Sequence, residues 1–126
     1  MKAFQKFAYA LLRFAAGACF AIHGLPILFG LLGGPRSAMF SQIWFGGVIM
    51  LVCGPAIALG FRTRWAAFLA SGTMAVAYVQ FHWHFALGRN LIPMVNHGEP
   101  ALLFCVIFAY LATVGNGSLS LGKGEN

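Results

Sequence analysis

The chain has 126 residues, of which 60% are hydrophobic and 8% are charged, whereas about 25% of the residues in an average soluble domain are charged. Eight basic and two acidic residues give a formal net charge of +6, and the two acids are Glu99 and Glu125. This composition excludes a disordered chain, a coiled coil and an ordinary soluble domain. It also leaves no paired carboxylates for acid–base catalysis of the glycosidase kind.

Four apolar segments follow one another along the chain and predict four membrane-spanning helices. They cover about residues 7–32, 43–61, 65–87 and 99–114. A bilayer core needs about 20 helical residues, and four strands could not close a barrel. We therefore expect an all-α integral membrane four-helix bundle, a single domain over residues 1–126. Its short Gly/Ser-rich tail, 115–126, is expected to be mobile.

The first segment is longer than a bilayer requires. As a helix it would extend about 39 Å, against a hydrocarbon core of roughly 30 Å. We expect it to break at Gly24-Leu25-Pro26, because proline interrupts helical hydrogen bonding. His23 then lies near the outer face, whereas in a straight helix it would lie close to the midplane. Arg13, in the first turns, is expected to reach back to the inner head groups.

Short polar stretches separate the segments. They are Gly33-Gly34-Pro35, Arg62-Thr63-Arg64, Gly88-Arg89-Asn90 and Gly115-Asn116-Gly117. Before the last segment, Asn96-His97-Gly98-Glu99-Pro100 predicts a helix start, with Asn or His near the cap and an acid in the first turn.

The basic residues predict the orientation in the membrane. If the N-terminus is inside, six of them lie on the inner side and two, Arg36 and Arg89, on the outer side. The six are Lys2, Lys6, Arg13, Arg62, Arg64 and Lys123. Because Lys and Arg concentrate on the cytoplasmic side, we expect both termini in the cytoplasm and a multi-pass protein of the bacterial inner membrane. Their isolation between apolar runs argues against nucleic-acid binding.

A group of ionisable residues is expected at the outer end of the bundle, and ionisable groups in a membrane are functional candidates because their insertion is costly. The group comprises His23, His82, His84, His97 and Glu99. Imidazole and carboxylate suit zinc, copper or iron, and they also suit a quinol or another small polar head group. Alternatively, these side chains have no binding role and lie at the membrane–water boundary because amphipathic rings are stable there.

The spacing within this group favours some members over others. Tyr78 and His82, four residues apart, share one face of an α-helix, whereas His84 points elsewhere. Trp83 is typical of the aromatic belt at a membrane interface. Glu99 gains from the helix dipole, or acts as a proton acceptor.

The ordered set of motifs resembles the DoxX family of small four-helix bacterial membrane proteins over nearly the whole chain. The motifs are Arg13-Phe14, His23-Gly24-Leu25-Pro26, Gly46-Gly47, Leu59-Gly60-Phe61-Arg62-Thr63-Arg64 and Gly115-Asn116-Gly117-Ser118-Leu119. Two positions depart from the family pattern. Ile27 lies where a lysine often follows the His-Gly pair, and Asn116 replaces the proline of a closing Gly-Pro-Gly. The second departure is expected to affect only the helix end.

The resemblance implies a small subunit or accessory of a quinone-linked membrane redox system, because some relatives are subunits of thiosulfate:quinone oxidoreductases. On this hypothesis His23 and Glu99 are the catalytic candidates, and His23, Tyr78, His82 and His97 are the cofactor-binding candidates. Quinone is favoured over haem or metal as the cofactor. Two alternatives remain open: a non-catalytic structural or assembly subunit, and a protein that handles metal or another small molecule.

The expected partners follow from the small size of the chain. Too little of it lies outside the apolar segments to form an enzyme alone, so any enzymatic role would be that of an oxidoreductase subunit. Besides the lipid bilayer, we expect other membrane or membrane-bound subunits, or a homo-oligomer.

Overall fold

The structure, a computed structural model, describes residues 2–83, 88–117 and 119–122. Within these ranges the chain is helical and contains no β-strand, which confirms the all-α prediction. The longer helices are α1 (Ala3–Phe29), α2 (Gln42–Leu59), α3 (Thr63–Ala77) and α5 (Glu99–Val114). The shorter elements are two 3-10 helices (Leu31–Gly33 and Gly88–Leu91), a π-helix (Tyr78–Trp83) and α4 (Pro93–Asn96). Residues 84–87, which include His84 and end the predicted segment 65–87, lie outside the described residues, as do tail residues 123–126.

α1 is one continuous helix of 27 residues, so the predicted break at Gly24-Leu25-Pro26 is wrong. Pro26 removes one backbone donor, but it does so where the helix is about to end. Gly30 follows Phe29 in the left-handed conformation, with φ +69°, and its N–H donates to the carbonyl oxygen of Pro26. This glycine cap ends the helix after Pro26 rather than before it.

α1 and α2 lie antiparallel and approach each other through glycines. A Cβ atom on Gly54 would lie 2.7 Å from the Cβ of Ala21, and one on Gly47 would lie 2.6 Å from Cγ2 of Ile27. Gly17 meets the backbone of Ala58 in the same way. Small residues let two apolar helices come close enough for backbone contact, as in membrane helix pairs.

α5 is held differently, because it packs along α3 and reaches α1 through aromatic rings. Phe20 of α1 is fully buried, and its ring lies 4.8 Å from that of Phe108 and 6.0 Å from that of Phe104. Tyr9 meets Tyr110 edge to face. Between α1 and α5, large aromatic side chains fill the space. Between α1 and α2, by contrast, glycines let the two helices lie in direct contact.

The outer surface of the helices is apolar. α1 and α2 are long and apolar enough to cross a membrane, and only 33% and 28% of their most apolar stretches is buried inside the protein. α5 is apolar but shorter, at 16 residues. Large side chains such as Phe4, Trp65 and Phe68 are mostly exposed. Exposed apolar surface of this extent indicates a membrane protein, which contacts lipid.

The packed helices have two ends that differ in their polar contacts. The terminal end comprises the start of α1, the turn at 60–62 and the closing segment, residues 115–122 without Ser118. The loop end comprises the end of α1, the start of α2, the π-helix and residues 96–99.

Candidate functional site

At the loop end, α3 continues directly into the π-helix, and this changes which side chains lie beside Tyr78. The predicted pairing of Tyr78 with His82 assumed α-helical spacing. A π-helix closes its hydrogen bonds over five residues, so residue i+5 approaches residue i. The ring of Trp83 accordingly lies 6.4 Å from that of Tyr78, with the ring planes tilted by 32°. Trp83 therefore contributes to the surroundings of Tyr78 rather than only to an aromatic belt.

Asn96 holds the hydroxyl of Tyr78 in place. Its Nδ2 donates to the Tyr78 hydroxyl oxygen over 3.1 Å, and its Oδ1 accepts from the N–H of Gly98 over 2.8 Å. A Cβ on Gly98 would lie 2.6 Å from the Tyr78 ring, so only glycine fits against it. Asn96 itself is 7% exposed. One buried amide thus orients the phenol and shapes the turn that precedes α5.

Asn96 was not predicted as a site residue. The sequence identified it only as one of two candidates for a helix cap, yet the residue before α5 that serves as the cap is Gly98. The available signal was its position two residues before a glycine, where an asparagine side chain can bond the backbone ahead of it. That the same side chain meets Tyr78, 18 residues earlier, depends on the packing of α3 against α5.

The Tyr78 hydroxyl retains one hydrogen-bonding capacity. A phenol can donate one proton and accept at its oxygen, and Asn96 uses the oxygen. Within the described ranges, no acceptor receives the Tyr78 proton. The side chain is half-buried, so its oxygen is fixed while its proton can be offered to a ligand.

His23 is exposed on α1 and bonded to its own helix. Its Nδ1 lies 2.7 Å from the carbonyl oxygen of Cys19, and its ring meets Phe104 of α5 edge to face at 5.8 Å. Because a carbonyl only accepts hydrogen bonds, Nδ1 carries the hydrogen, and Nε2 of the neutral ring is left as an acceptor. Phe104 is five residues beyond Glu99, or about 7.5 Å along α5.

The other predicted residues are arranged around Gly98. His97 is exposed and adopts a left-handed φ of 61°, and Glu99 begins α5 with its side chain exposed. Among the described residues, Glu99 takes part in no ion pair or side-chain hydrogen bond. His82 is half-buried in the π-helix.

The loop end therefore brings together Tyr78, Trp83, Asn96 and Gly98, with His97 and Glu99 flanking the same glycine. The break in α1 that was expected to place His23 with this group is absent, and His23 instead lies beside Phe104, farther along α5. In the described part of the chain, no three His, Cys, Asp or Glu side chains are close enough to hold a metal ion. His84, which the sequence placed at this end, lies outside the described residues.

At the terminal end, Arg13 does not reach toward head groups as predicted. It is 2% exposed, and its guanidinium donates to the carbonyl oxygens of Asn116, over 2.5 Å, and Leu119, over 2.7 Å. The closing segment folds back over α1 and supplies these acceptors. A buried guanidinium with backbone acceptors needs no contact with the head groups.

Asn116 does more than end a helix, which corrects the expectation from the sequence. It is 1% exposed; its Oδ1 accepts from the N–H of Thr63 over 2.9 Å, and its Nδ2 donates to the carbonyl oxygen of Gly122 over 3.1 Å. One side chain therefore connects the closing segment to the start of α3. Proline, the usual residue of the family motif, could make neither bond.

The first part of the tail is fixed rather than mobile. The N–H groups of Leu121 and Gly122 donate to the carbonyl oxygens of Leu59 and Gly60, over 2.9 and 3.0 Å. The hydroxyl of Tyr9 donates to the carbonyl oxygen of Gly115. These bonds attach the closing segment to the ends of α1 and α2.

Comparison with known proteins agrees with the resemblance found in the motifs. The sequence profile described as DoxX matches residues 8–83. A protein of Haemophilus influenzae described as uncharacterized is 33% identical over an alignment of 126 positions, which covers 96% of this chain and 92% of that protein. No solved structure matches the chain.

Proposed function

This chain belongs to the DoxX family, and from that premise we propose that it is a small accessory subunit of a quinone-linked redox system in the bacterial inner membrane. We also propose that α1, α2, α3 with the π-helix, and α5 form a membrane four-helix bundle with both termini in the cytoplasm. The apolar exterior supports this arrangement. α3 has 15 residues and the π-helix that continues it has six, so the two in sequence are close to the roughly 20 residues that a membrane span needs.

One observation carries the proposal: the Tyr78 hydroxyl is held by Asn96 and has a proton to offer. A quinone ring presents carbonyl oxygens that accept such a proton in a hydrogen bond, and the Trp83 ring offers an aromatic contact beside it. The residues at the loop end thus fit an uncharged ring with carbonyl groups.

His23 and Glu99 complete the proposal as proton acceptors. Glu99 directly follows Gly98 and so lies next to the turn that contacts Tyr78, whereas Nε2 of His23 is the free acceptor atom of a ring farther along α5. A carboxylate and a neutral imidazole can take the protons that a bound quinol releases. The two electrons of that quinol would pass to a redox partner subunit of the same complex.

The direct test is Tyr78→Phe, which removes only the hydroxyl. The protein is purified gently from its native membrane, and co-purifying quinone is extracted and quantified. The loss of one hydrogen bond of about 1–1.5 kcal/mol should lower quinone occupancy about fivefold to tenfold when the site is not saturated. The matched control is Tyr110→Phe, at an exposed tyrosine of α5, which should keep the wild-type quinone content. Equal quinone content in both variants would contradict the proposal.

A second candidate function is a structural or assembly subunit. Gly46 and Gly72 favour it, because a Cβ at either position would meet nothing within 4 Å, and glycines with open space beside them on membrane helices can accept a partner helix. In that case Gly46→Leu or Gly72→Leu should release the partner chains, whereas Tyr78→Phe, His23→Ala and Glu99→Gln should leave the complex and its activity nearly unchanged. Gly47→Leu does not test this, because Ile27 already occupies that space.

A further inference from the structure

A cavity of about 660 Å³, partly open to the exterior, lies between α2 and α3, and Tyr78 is not among its lining residues. Its walls include Phe45, Ile49, Phe68 and Phe81, and none of the described residues that line it is ionisable. Pockets that bind small molecules have volumes of about 300–1,000 Å³ and are mostly apolar. The cavity therefore has the size and the lining of a ligand site.

Two glycines keep this space open. Gly46 of α2 and Gly72 of α3 both line the cavity, and a Cβ on either would meet nothing within 4 Å. They differ from Gly47 and Gly54, whose missing side chains allow α1 and α2 to touch. Because neither glycine packs against a neighbouring element, the space beside both is available to an occupant.

Among the described residues that line the cavity, the polar ones are Gln42, at the loop end, and Thr73 of α3; Gln80 is not a lining residue but is bonded to Gln42. Nε2 of Gln42 donates to Oε1 of Gln80 over 2.6 Å, which links the start of α2 to the π-helix. This bond leaves Oε1 of Gln42 as an acceptor and Nε2 of Gln80 as a donor. The hydroxyl of Thr73 already donates to the carbonyl oxygen of Leu69. A ligand would thus find hydrogen-bonding groups at one end and apolar walls along the rest.

The length of the cavity and the lack of charged side chains among its described lining residues indicate which class of ligand it can bind. Along α3 the lining extends from Phe68 to Phe81, about 20 Å at the rise of a helix. That length suits an extended chain. An anionic head group would meet no cationic side chain in the lining, and burying an unpaired charge is costly. An uncharged head that accepts and donates hydrogen bonds fits Gln42, and Gln80, bonded to Gln42, can bond the same head from outside the lining.

We infer that this cavity binds an uncharged lipid with one extended chain, with its head at Gln42 and Gln80 and its chain along α3. The site is distinct from the Tyr78 site and does not depend on the function proposed there. A monoacylglycerol represents the class.

The test uses the full chain, purified in detergent, and a monoacylglycerol that carries a photoreactive diazirine in its chain. After illumination, labelled peptides are identified by mass spectrometry. We expect the label to concentrate on peptides of α2 and α3. The double variant Gly46→Leu/Gly72→Leu fills the cavity and should reduce labelling about tenfold. The control is Ala109→Leu, which places a leucine at an exposed position of α5, away from the cavity, and should not change labelling.

Two further arms keep the inference open to refutation. Gln80→Leu, a single exposed substitution that leaves the cavity walls intact, should weaken labelling by the monoacylglycerol. A diazirine fatty acid of the same chain length, which is anionic, should label these peptides several times less. Unchanged labelling in the glycine variant, or equal labelling by the fatty acid, would overturn the inference. If the glycine variant loses a second copy or a partner chain while labelling persists, the occupant is a helix instead.

Discussion

Arg13 and Asn116 at the terminal end are buried, and their side chains bond backbone groups of the closing segment and of α3. At the loop end, His97 and Glu99 are exposed and Asn96 is buried, and His23, farther along α1, is also exposed. Buried side chains that bond the backbone across the fold make a structure rigid, whereas exposed polar side chains with unused donors or acceptors can be reached by a ligand. The comparison teaches that polarity at the terminal end serves stability, and that the ligand chemistry should be sought at the loop end.

The largest expected effect is at Arg13. In Arg13→Met the carbonyl oxygens of Asn116 and Leu119 lose two charge-assisted hydrogen bonds, worth about 1.5–3 kcal/mol each. We expect the free energy of unfolding in detergent to fall by about 3 kcal/mol or more, and the closing segment to become accessible to protease. Arg36→Met, at an exposed arginine, is the control and should change stability by less than about 0.5 kcal/mol. A similar small effect for Arg13→Met would break the comparison between the ends.

The two buried asparagines sharpen the comparison with a matched pair. Asn116→Ala leaves the N–H of Thr63 without its acceptor, and we expect a loss of about 2 kcal/mol in unfolding free energy with quinone content unchanged. Asn96→Ala frees the Tyr78 hydroxyl, and we expect a smaller loss, about 1 kcal/mol, but a several-fold fall in co-purifying quinone. Unfolding titrations and quinone extraction on the same preparations measure both. If Asn116→Ala lowered the quinone content as strongly, the division of roles between the ends would be wrong.

The smallest effect on stability is expected at Glu99. Glu99→Gln removes a charge from the first turn of α5, which costs about 0.3–1 kcal/mol through the helix dipole. Under the proposed function, redox activity of the assembled complex should nevertheless fall strongly while assembly survives. Thermal unfolding and activity are measured on the complex from the native membrane. Full activity in Glu99→Gln would favour the assembly role.

Local features of the molecule could be predicted because each is encoded within a few neighbouring residues. Long apolar runs without alternation specify helices, and Gly115 was predicted to end the last helix, where it does. Glu99 in the first turn of α5, with Pro100 after it, likewise agrees with the helix-start pattern. The wrong prediction of a break in α1 also concerned neighbouring residues: the helix continues past Pro26 and ends at the left-handed cap that Gly30 forms.

The sequence by itself determined the all-helical class, the apolar exterior, the places where most helices begin and end, and the family. Only the tertiary structure decided the surroundings of Arg13, whose acceptor at Asn116 is 103 residues away, and the bond between Asn96 and Tyr78. It also decided that Gly46 and Gly72 line a cavity, whereas Gly17, Gly47 and Gly54 let α1 and α2 come into contact. The physical reason is range: hydropathy and helix ends depend on interactions within a turn or two, whereas the partners of a buried polar group depend on which helices pack together.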